Sequence, residues 1–452
     1  MKSENVILVR GARLIDPAQG LDQLGDLLMS DGKIAYVGDP VTDLPENAVV
    51  IEAAGIVASP GFIDLHCHLR EPGFEYKETI ATGTEAAARG GFTSVCCMPN
   101  TEPPIDSVAV VDFIRRRASE EGIVKVYPIG CVSKGRKGTQ LSEMRELADA
   151  GVVAFSDDGS PVYDSSLMRL ALSYTLGLGR PISNHCEELS LSKNGVMAEG
   201  WVANRLGLSG IPAAAEEAMA SRDIALAELT GGKLHIAHVS TAGTVELIRN
   251  AKRKGLDVTA EVCPHHLTLT EEWVLGSKST LADYATLFSY DTATKVYPPL
   301  RTMQDVDALI GGVRDGVIDC IATDHAPHDF ASKIVTYEEA ASGISVLETT
   351  LGSLLSLVHT DKLSLTTVVE RLTQGPATVL GEPFTELATL KVGTPADVVL
   401  FDPNLEWVVD TQKFASKGKN TPLDGMTLKG QVVTTIVDGK VVYEGMNRKM
   451  RS

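Results

Sequence analysis

Histidines and aspartates able to grip a metal recur in this chain where short apolar runs end. His66 and His68 close the run Gly61–Leu65 and stand one residue apart, so in an extended segment both imidazoles project to the same side. Two imidazoles placed that way can hold one cation. Asp157 and Asp158 follow the run Val152–Ser156, His185 follows Pro181–Asn184, His238 lies in Lys233–Val239, and Asp324 follows Asp319–Thr323. Four imidazoles and two carboxylates match the needs of two divalent cations of borderline softness such as Zn²⁺, with one carboxylate bridging the pair. Spacing leaves open which of Asp157 and Asp158 would bridge. A water shared by two such cations ionises near neutral pH and becomes a nucleophile. His235, three positions before His238, falls on the opposite face of a continuing strand and reads as a packing residue. His265 and His266, after the run Asp257–Val262, have no assigned role.

Positioning these groups together requires that the runs be strands ending at one face. The runs Gly61–Leu65, Thr93–Met98, Lys125–Gly130, Val152–Ser156, Pro181–Asn184, Lys233–Val239, Asp257–Val262 and Asp319–Thr323 are short and apolar. Helix-like stretches intervene, among them Thr79–Arg89, Val108–Glu120, Ser142–Ala150, Ala214–Leu229 and Thr244–Lys254. Alternation of this kind predicts an α/β fold, a (β/α)8 barrel, with its chemistry past the C-terminal ends of the strands. The two chain ends look different. Val6–Val9, Asp26–Met29, Lys33–Val37 and Val49–Ile51 near the start resemble Asp397–Phe401, Val432–Val437 and Lys440–Tyr443 near the end, with Asp31-Gly32 and Asp438-Gly439 as hairpin signals. Residues 1–57 and 385–452 are therefore expected to form one small β domain beside a barrel spanning 58–384.

Composition narrows the class of protein. The 452 residues are 44% hydrophobic and 22% charged, ordinary for a globular chain. With 41 basic and 59 acidic residues the formal charge is −18, which disfavours nucleic acid and anionic membrane as partners and favours solubility. The first ten residues lack the apolar core of a signal peptide, and no run is long enough to span a bilayer. Seven cysteines, an odd number without a Cys-x-x-Cys pair, suit a reducing compartment, so a cytoplasmic location is expected.

Longer motifs carry a family resemblance. Gly61–Gly73, Ala87–Thr93, Met98–Thr101, Phe155–Gly159, Ala237–Thr241, Glu261–His266, Ile321–His328 and Ser416–Pro422 are similar to those of class I dihydroorotases of the amidohydrolase superfamily. The resemblance runs through nearly the whole chain. It implies a (β/α)8 barrel with an appended β domain and a binuclear centre of two Zn²⁺ per chain. The implied reaction is reversible, zinc-dependent cyclisation of N-carbamoyl-L-aspartate to L-dihydroorotate in pyrimidine biosynthesis. By motif, His66, His68 and Asp324 correspond to ligands of one metal, His185 and His238 to ligands of the other, and Asp158 to the bridging carboxylate. Many hydantoinases and allantoinases have a carbamylated lysine at that bridging position, and the aspartate here favours dihydroorotase. The nucleophile is then the metal-bridging hydroxide, with Asp324 as general base and acid. Arg70 and Asn100 correspond to residues that hold the substrate carboxylate, His328 to a further substrate contact, and Ser342 and Gly343 to a substrate loop.

Two positions depart from the family pattern. Tyr297 stands where asparagine is usual before Pro298-Pro-Leu-Arg301, and Ala341-Ser342-Gly343 replaces Pro-Phe-Gly. These keep a related cyclic amidase of hydantoinase, dihydropyrimidinase or allantoinase type as an alternative. A second alternative is a catalytically silent paralogue that scaffolds aspartate transcarbamoylase. The family further implies a homo-oligomer and association with aspartate transcarbamoylase.

Overall fold

The computed structural model describes residues 6–276 and 289–445. Small parts of both expected domains, 1–5, 277–288 and 446–452, lie outside the described residues.

Strands from both chain ends build one sheet. Its order is Lys440–Glu444, Thr427–Val437, Val398–Val408, Val57–Pro60, Val6–Asp16, Leu21–Ser30 and Lys33–Gly38, with Val49–Glu52 paired alongside Val6–Asp16. Both Asp-Gly turns work as the sequence suggests: Asp31 and Gly32 have φ of 51° and 78°, and Asp438 and Gly439 have 47° and 69°. Two consecutive left-handed residues match the twist of the strands they join. A buried set including Ile7, Val9, Leu14, Leu27, Val398, Leu400 and Ile436 fills this sheet's own core.

Parallel strands form the second unit. Phe62–Cys67 pairs with Phe92–Cys97, which pairs with Lys125–Pro128. Ile182–Asn184, Leu234–Ile236, Val258–Val262 and Cys320–Ile321 form a second run of parallel neighbours. The two runs meet twice. At one seam Phe155 bridges Gly130 and Ile182. At the other, Cys67 bridges His325, and the Asp324 amide donates to the His66 carbonyl at 2.8 Å. The ring therefore closes as a (β/α)8 barrel. Over the expected strand Val152–Ser156, Val153, Ala154 and Ser156 share backbone hydrogen bonds with Pro128 and Gly130, and Phe155 pairs with Pro181 and Ser183 on the other side, so the fourth position is a short, irregular strand centred on the Phe155 bridges.

Helices cover the outside, and local chemistry sets their starts. Thr79 caps Ile80–Arg89 through a reciprocal capping box with Thr82, Asp164 caps Ser165–Thr175, and Thr241 caps Ala242–Arg253. Phe62 and Phe92 are fully buried, as the strands of a barrel wrapped in helices should be. Phe62 also joins the units. Its ring lies 5.8 Å from Phe92 in the barrel and 6.1 Å from Phe401 in the terminal sheet. Gly61, between sheet and barrel, has no room for a side chain, since a Cβ there would lie 2.2 Å from Thr93.

Candidate active site

The strand ends bring the expected histidines and aspartates to one mouth. His66 and His68 sit at and just past the first strand, Asp158 beyond Phe155, His185 after Ile182–Asn184, His238 two residues past Leu234–Ile236, and Asp324 after Cys320–Ile321. Asp158 is the centre. Its Oδ1 lies 3.4 Å from His66 Nε2, 3.4 Å from His238 Nε2 and 3.9 Å from His185 Nδ1, while Oδ2 lies 3.6 Å from His68 Nε2. Asp324 Oδ1 lies 3.0 Å from His68 Nε2 and 3.5 Å from His66 Nε2. His185 Nδ1 is 2.9 Å from His238 Nε2. Asp157 turns the other way and accepts from the Val132 and Ser133 amides at 3.0 and 3.1 Å, bracing the neighbouring loop.

Three of the four imidazoles are aimed by what their other nitrogen touches. His66 Nδ1 is 2.6 Å from Glu261 Oε1, His68 Nδ1 is 2.9 Å from Asn100 Oδ1, and His185 Nε2 is 3.3 Å from Glu187 Oε2. An acceptor at one nitrogen takes its proton and leaves a lone pair on the other, facing inward. Glu261 was visible in the sequence only as part of a motif. Its second oxygen lies 3.1 Å from His235 Nε2, so His235 anchors the residue that orients His66. The packing role expected for His235 assumed a continuing strand; the strand stops at Ile236 and His238 turns to φ 32°. Arg70 and Asp324 share this left-handed conformation, with φ of 62° and 47°. Such backbone costs roughly 1–3 kcal/mol per residue and clusters where geometry matters more than stability.

The donor set fits metal ions. Donors that share one tetrahedral ion at about 2.0–2.2 Å lie roughly 3.3–3.5 Å apart, and the separations here run from 2.9 to 3.9 Å. His66 Nε2 and Asp158 Oδ1 are buried with no hydrogen-bond partner among the described residues. Donors of His66, His68 and Asp324 lie within 4.8 Å of one another, as do those of His66, Asp158 and His238. Burial opposes ionisation of Asp158 and Asp324, yet the facing imidazoles, His66 foremost, hold both well below the ordinary carboxylate range. Both stay anionic and able to ligate.

Beside this cluster lies a cavity of about 780 Å³. Arg70, Asn100, His328, Ser342, Gly343 and Tyr297 line it together with the cluster. Burial brings the Arg70 guanidinium down to about 10, opposed by Asp324 and Asp158, so it remains a cation at neutral pH. Burial and then the positive charge of Arg70 push His328 down to about 2, so its ring is neutral. His328 Nε2 lies 2.9 Å from the Ser342 carbonyl and 3.4 Å from Arg70 Nη2. Asn100 gives its carbonyl oxygen to His68, which leaves its amide N–H groups for a ligand.

Two residues support the site in ways the sequence did not indicate. Asn420 accepts from the His328 amide at 2.9 Å and donates to the Ala326 and Gly343 carbonyls at 3.0 and 2.9 Å. Tyr297 stacks on His185, centroids 5.3 Å apart at 17°, and its hydroxyl donates to Glu187 Oε1.

The family model described as "Dihydro-orotase-like" matches residues 55–244, and "Amidohydrolase family" matches 289–443. A dihydroorotase of Syntrophus aciditrophicus is 48% identical over 438 residues, covering 97% of this chain and 99% of that protein. One from Pelotomaculum thermopropionicum is 51% identical over 439 residues, covering 97% and 98%. The chain belongs to the dihydroorotase family. Among solved structures, L-hydantoinase from Arthrobacter aurescens superposes with a TM-score of 0.83 at 26% identity over 98% of each chain. Dihydropyrimidinase from Brevibacillus agri gives 0.81 at 23%, covering 98% of this chain and 96% of that one, a likeness of fold alone. Dihydroorotase relatives and the amidohydrolase match accord with a metal cofactor at the histidine–aspartate cluster.

Proposed function

We propose that this chain is a dihydroorotase that interconverts N-carbamoyl-L-aspartate and L-dihydroorotate with two Zn²⁺ per chain. The observation that carries the reading is near-complete coverage by dihydroorotases at 48–51% identity, joined to a cavity with an obligate cation beside the metal-type cluster. His66, His68 and Asp324 would hold one ion, His185 and His238 the other, with Asp158 between them. When bound, such a pair lowers the pKa of water and polarises a carbonyl.

The protein's own groups do the rest. Arg70 and the Asn100 amide bind the substrate carboxylate, since a guanidinium and N–H donors match its oxygens, while neutral His328, whose Nε2–H is given to the Ser342 carbonyl, keeps its Nδ1 lone pair to accept from the substrate as a further contact. Ser342 and Gly343 close the cavity on the ring side. Asp324 faces the centre of the cluster, where in ring opening it takes one proton from the attacking water and returns it to the departing ring nitrogen. In ring closure the same carboxylate takes the proton from that nitrogen and one water leaves. Glu261, Asn100 and Glu187 keep the imidazoles turned inward. The same reading carries a cytoplasmic, homo-oligomeric enzyme able to associate with aspartate transcarbamoylase, and the division into 1–57 with 385–452 and 58–384.

Tyr297 gives the rival hydantoinase-like reading its footing, because it puts an aromatic ring where a donor to a polar ring would sit. A zinc-loaded preparation assayed on dihydroorotate, hydantoin, dihydrouracil and allantoin separates the two. Dihydroorotate should be the preferred substrate by at least tenfold in kcat/KM. Preference for any uncharged ring would overturn the proposal.

A further inference from the structure

Cys263, His265 and His266 lie where the strand Val258–Val262 turns into the short helix Pro264–Thr268. All three are buried, at 0%, 3% and 2% exposure, and one donor atom from each lies within 4.8 Å of the others. Their hydrogen bonding is incomplete. Among the described residues neither ring nitrogen of His265 has a partner, and neither does Nδ1 of His266. His266 Nε2 lies 3.0 Å from the Pro298 carbonyl. A carbonyl only accepts, so Nε2 carries the hydrogen and Nδ1 presents a bare lone pair. Burial pushes His265 down to about 4 and His266 well below its ordinary value, so both rings are in the neutral form that binds metals. Buried polar atoms are almost always satisfied, which makes three orphan nitrogens beside one thiol a feature to be explained.

We propose that Cys263, His265 and His266 form a further cation site, separate from the His66–Asp324 cluster, that takes a thiophilic d-block ion such as Zn²⁺ or Cd²⁺. One sulfur and two imidazole donors are a set such ions favour over Mg²⁺ or Ca²⁺, and a water completes four-coordination. Donors sharing one ion lie roughly 3.3–3.8 Å apart, so side-chain rotation closes the remaining distance. Loading is balanced: the Cys263 S–H bond breaks, its proton goes to solvent, a sulfur–metal bond forms, and the neutral imidazoles release nothing. The site's role is structural. It ties the seventh strand's end to the segment at Pro298, next to Tyr297 in the cavity wall.

The test uses the full chain expressed with zinc and, separately, with cobalt. Metal analysis should find one more equivalent of zinc in the parent than in Cys263→Ser. Cobalt-loaded parent should show a thiolate-to-cobalt charge-transfer band that Cys263→Ser lacks and His266→Gln weakens, because the His66–Asp324 cluster has only nitrogen and oxygen donors. A parent with no thiolate band and the same zinc content as Cys263→Ser would overturn the proposal and assign the orphan nitrogens to a buried water. A band that survives in Cys263→Ser would overturn it too, by placing the ion on another cysteine. If Cys263→Ser does not fold, the parent's cobalt spectrum and its response to His266→Gln decide. None of these readouts is turnover of dihydroorotate, so the site and the proposed reaction fail separately.

Discussion

Arg70 is the residue that separates an enzyme for an anionic ring from one for a neutral ring. It is a half-buried cation at the cavity with no carboxylate hydrogen-bonded to it among the described residues, its Nε instead donating to the Pro327 carbonyl at 3.3 Å. A charge-assisted hydrogen bond is worth roughly 1.5–3 kcal/mol, and each 1.36 kcal/mol is about tenfold in rate. Arg70→Met should therefore lower kcat/KM for dihydroorotate at least tenfold with metal content unchanged, while turnover of neutral dihydrouracil does not fall. Equal losses on both substrates would instead assign Arg70 to support of the cluster. Asp324 is asked for two things, metal ligation and proton transfer. Asp324→Ala should cost at least the ~10²–10⁴-fold typical of a lost general base, and a loss below tenfold in steady-state assays would place the proton on another group. At this scale the sequence was informative, since all six candidate ligands meet at one mouth. The partners that aim them were not legible, because Glu261 and Asn100 act through contacts between residues far apart in the chain, and Glu187, two residues from His185, reaches it only through the turn the backbone takes there.

Elements explain which expectations needed revision. Strand alternation predicts opposite faces for His235 and His238 only while the strand lasts, and it ends at Ile236. The apolar run at Val152–Ser156 has strand composition and does pair, through Val153, Ala154 and Ser156 to Pro128 and Gly130 and through Phe155 to Pro181 and Ser183, but too irregularly for a regular ladder. The segment Ser416–Pro422 read as a motif without a role. Its Asn420 turns out to clamp two strand-end loops, holding the His328 amide and the Gly343 carbonyl, both at the cavity. Asn420→Ala would leave those groups unpaired, at about 1–3 kcal/mol each when buried. The expected outcome is a KM for dihydroorotate raised more than kcat is lowered, together with a lower melting temperature. An unchanged KM in a fully folded variant would show that His328 and Ser342 are held by other means.

The whole molecule depends on how the terminal sheet grips the barrel, and Phe62 between Phe92 and Phe401 is one such contact. Phe62→Ala should destabilise by about 3–5 kcal/mol, as aromatic-to-alanine changes in cores do, seen as a lower denaturant midpoint. Glu348 is a second junction with a different signature. Its side chain is 8% exposed beside Arg89 at 3.6 Å, and its Oε1 accepts from the Ser416 amide at 3.2 Å, joining the barrel to a segment near the chain's end. Burial pushes its carboxyl up to about 7, with the amides of Ala415 and Ser416 and the charge of Arg89 only partly opposing. The unfolded value is near 4.3. Between those values the folded state binds more protons than the unfolded state, so this group's contribution makes stability fall as pH rises from about 4 to about 7. Glutamine keeps an oxygen for the Ser416 amide and cannot ionise. Glu348→Gln should therefore match the parent in melting temperature near pH 4 and exceed it above pH 7, with the gap opening across the interval. A constant difference at every pH would mean that Glu348 ionises in the folded protein as freely as in water.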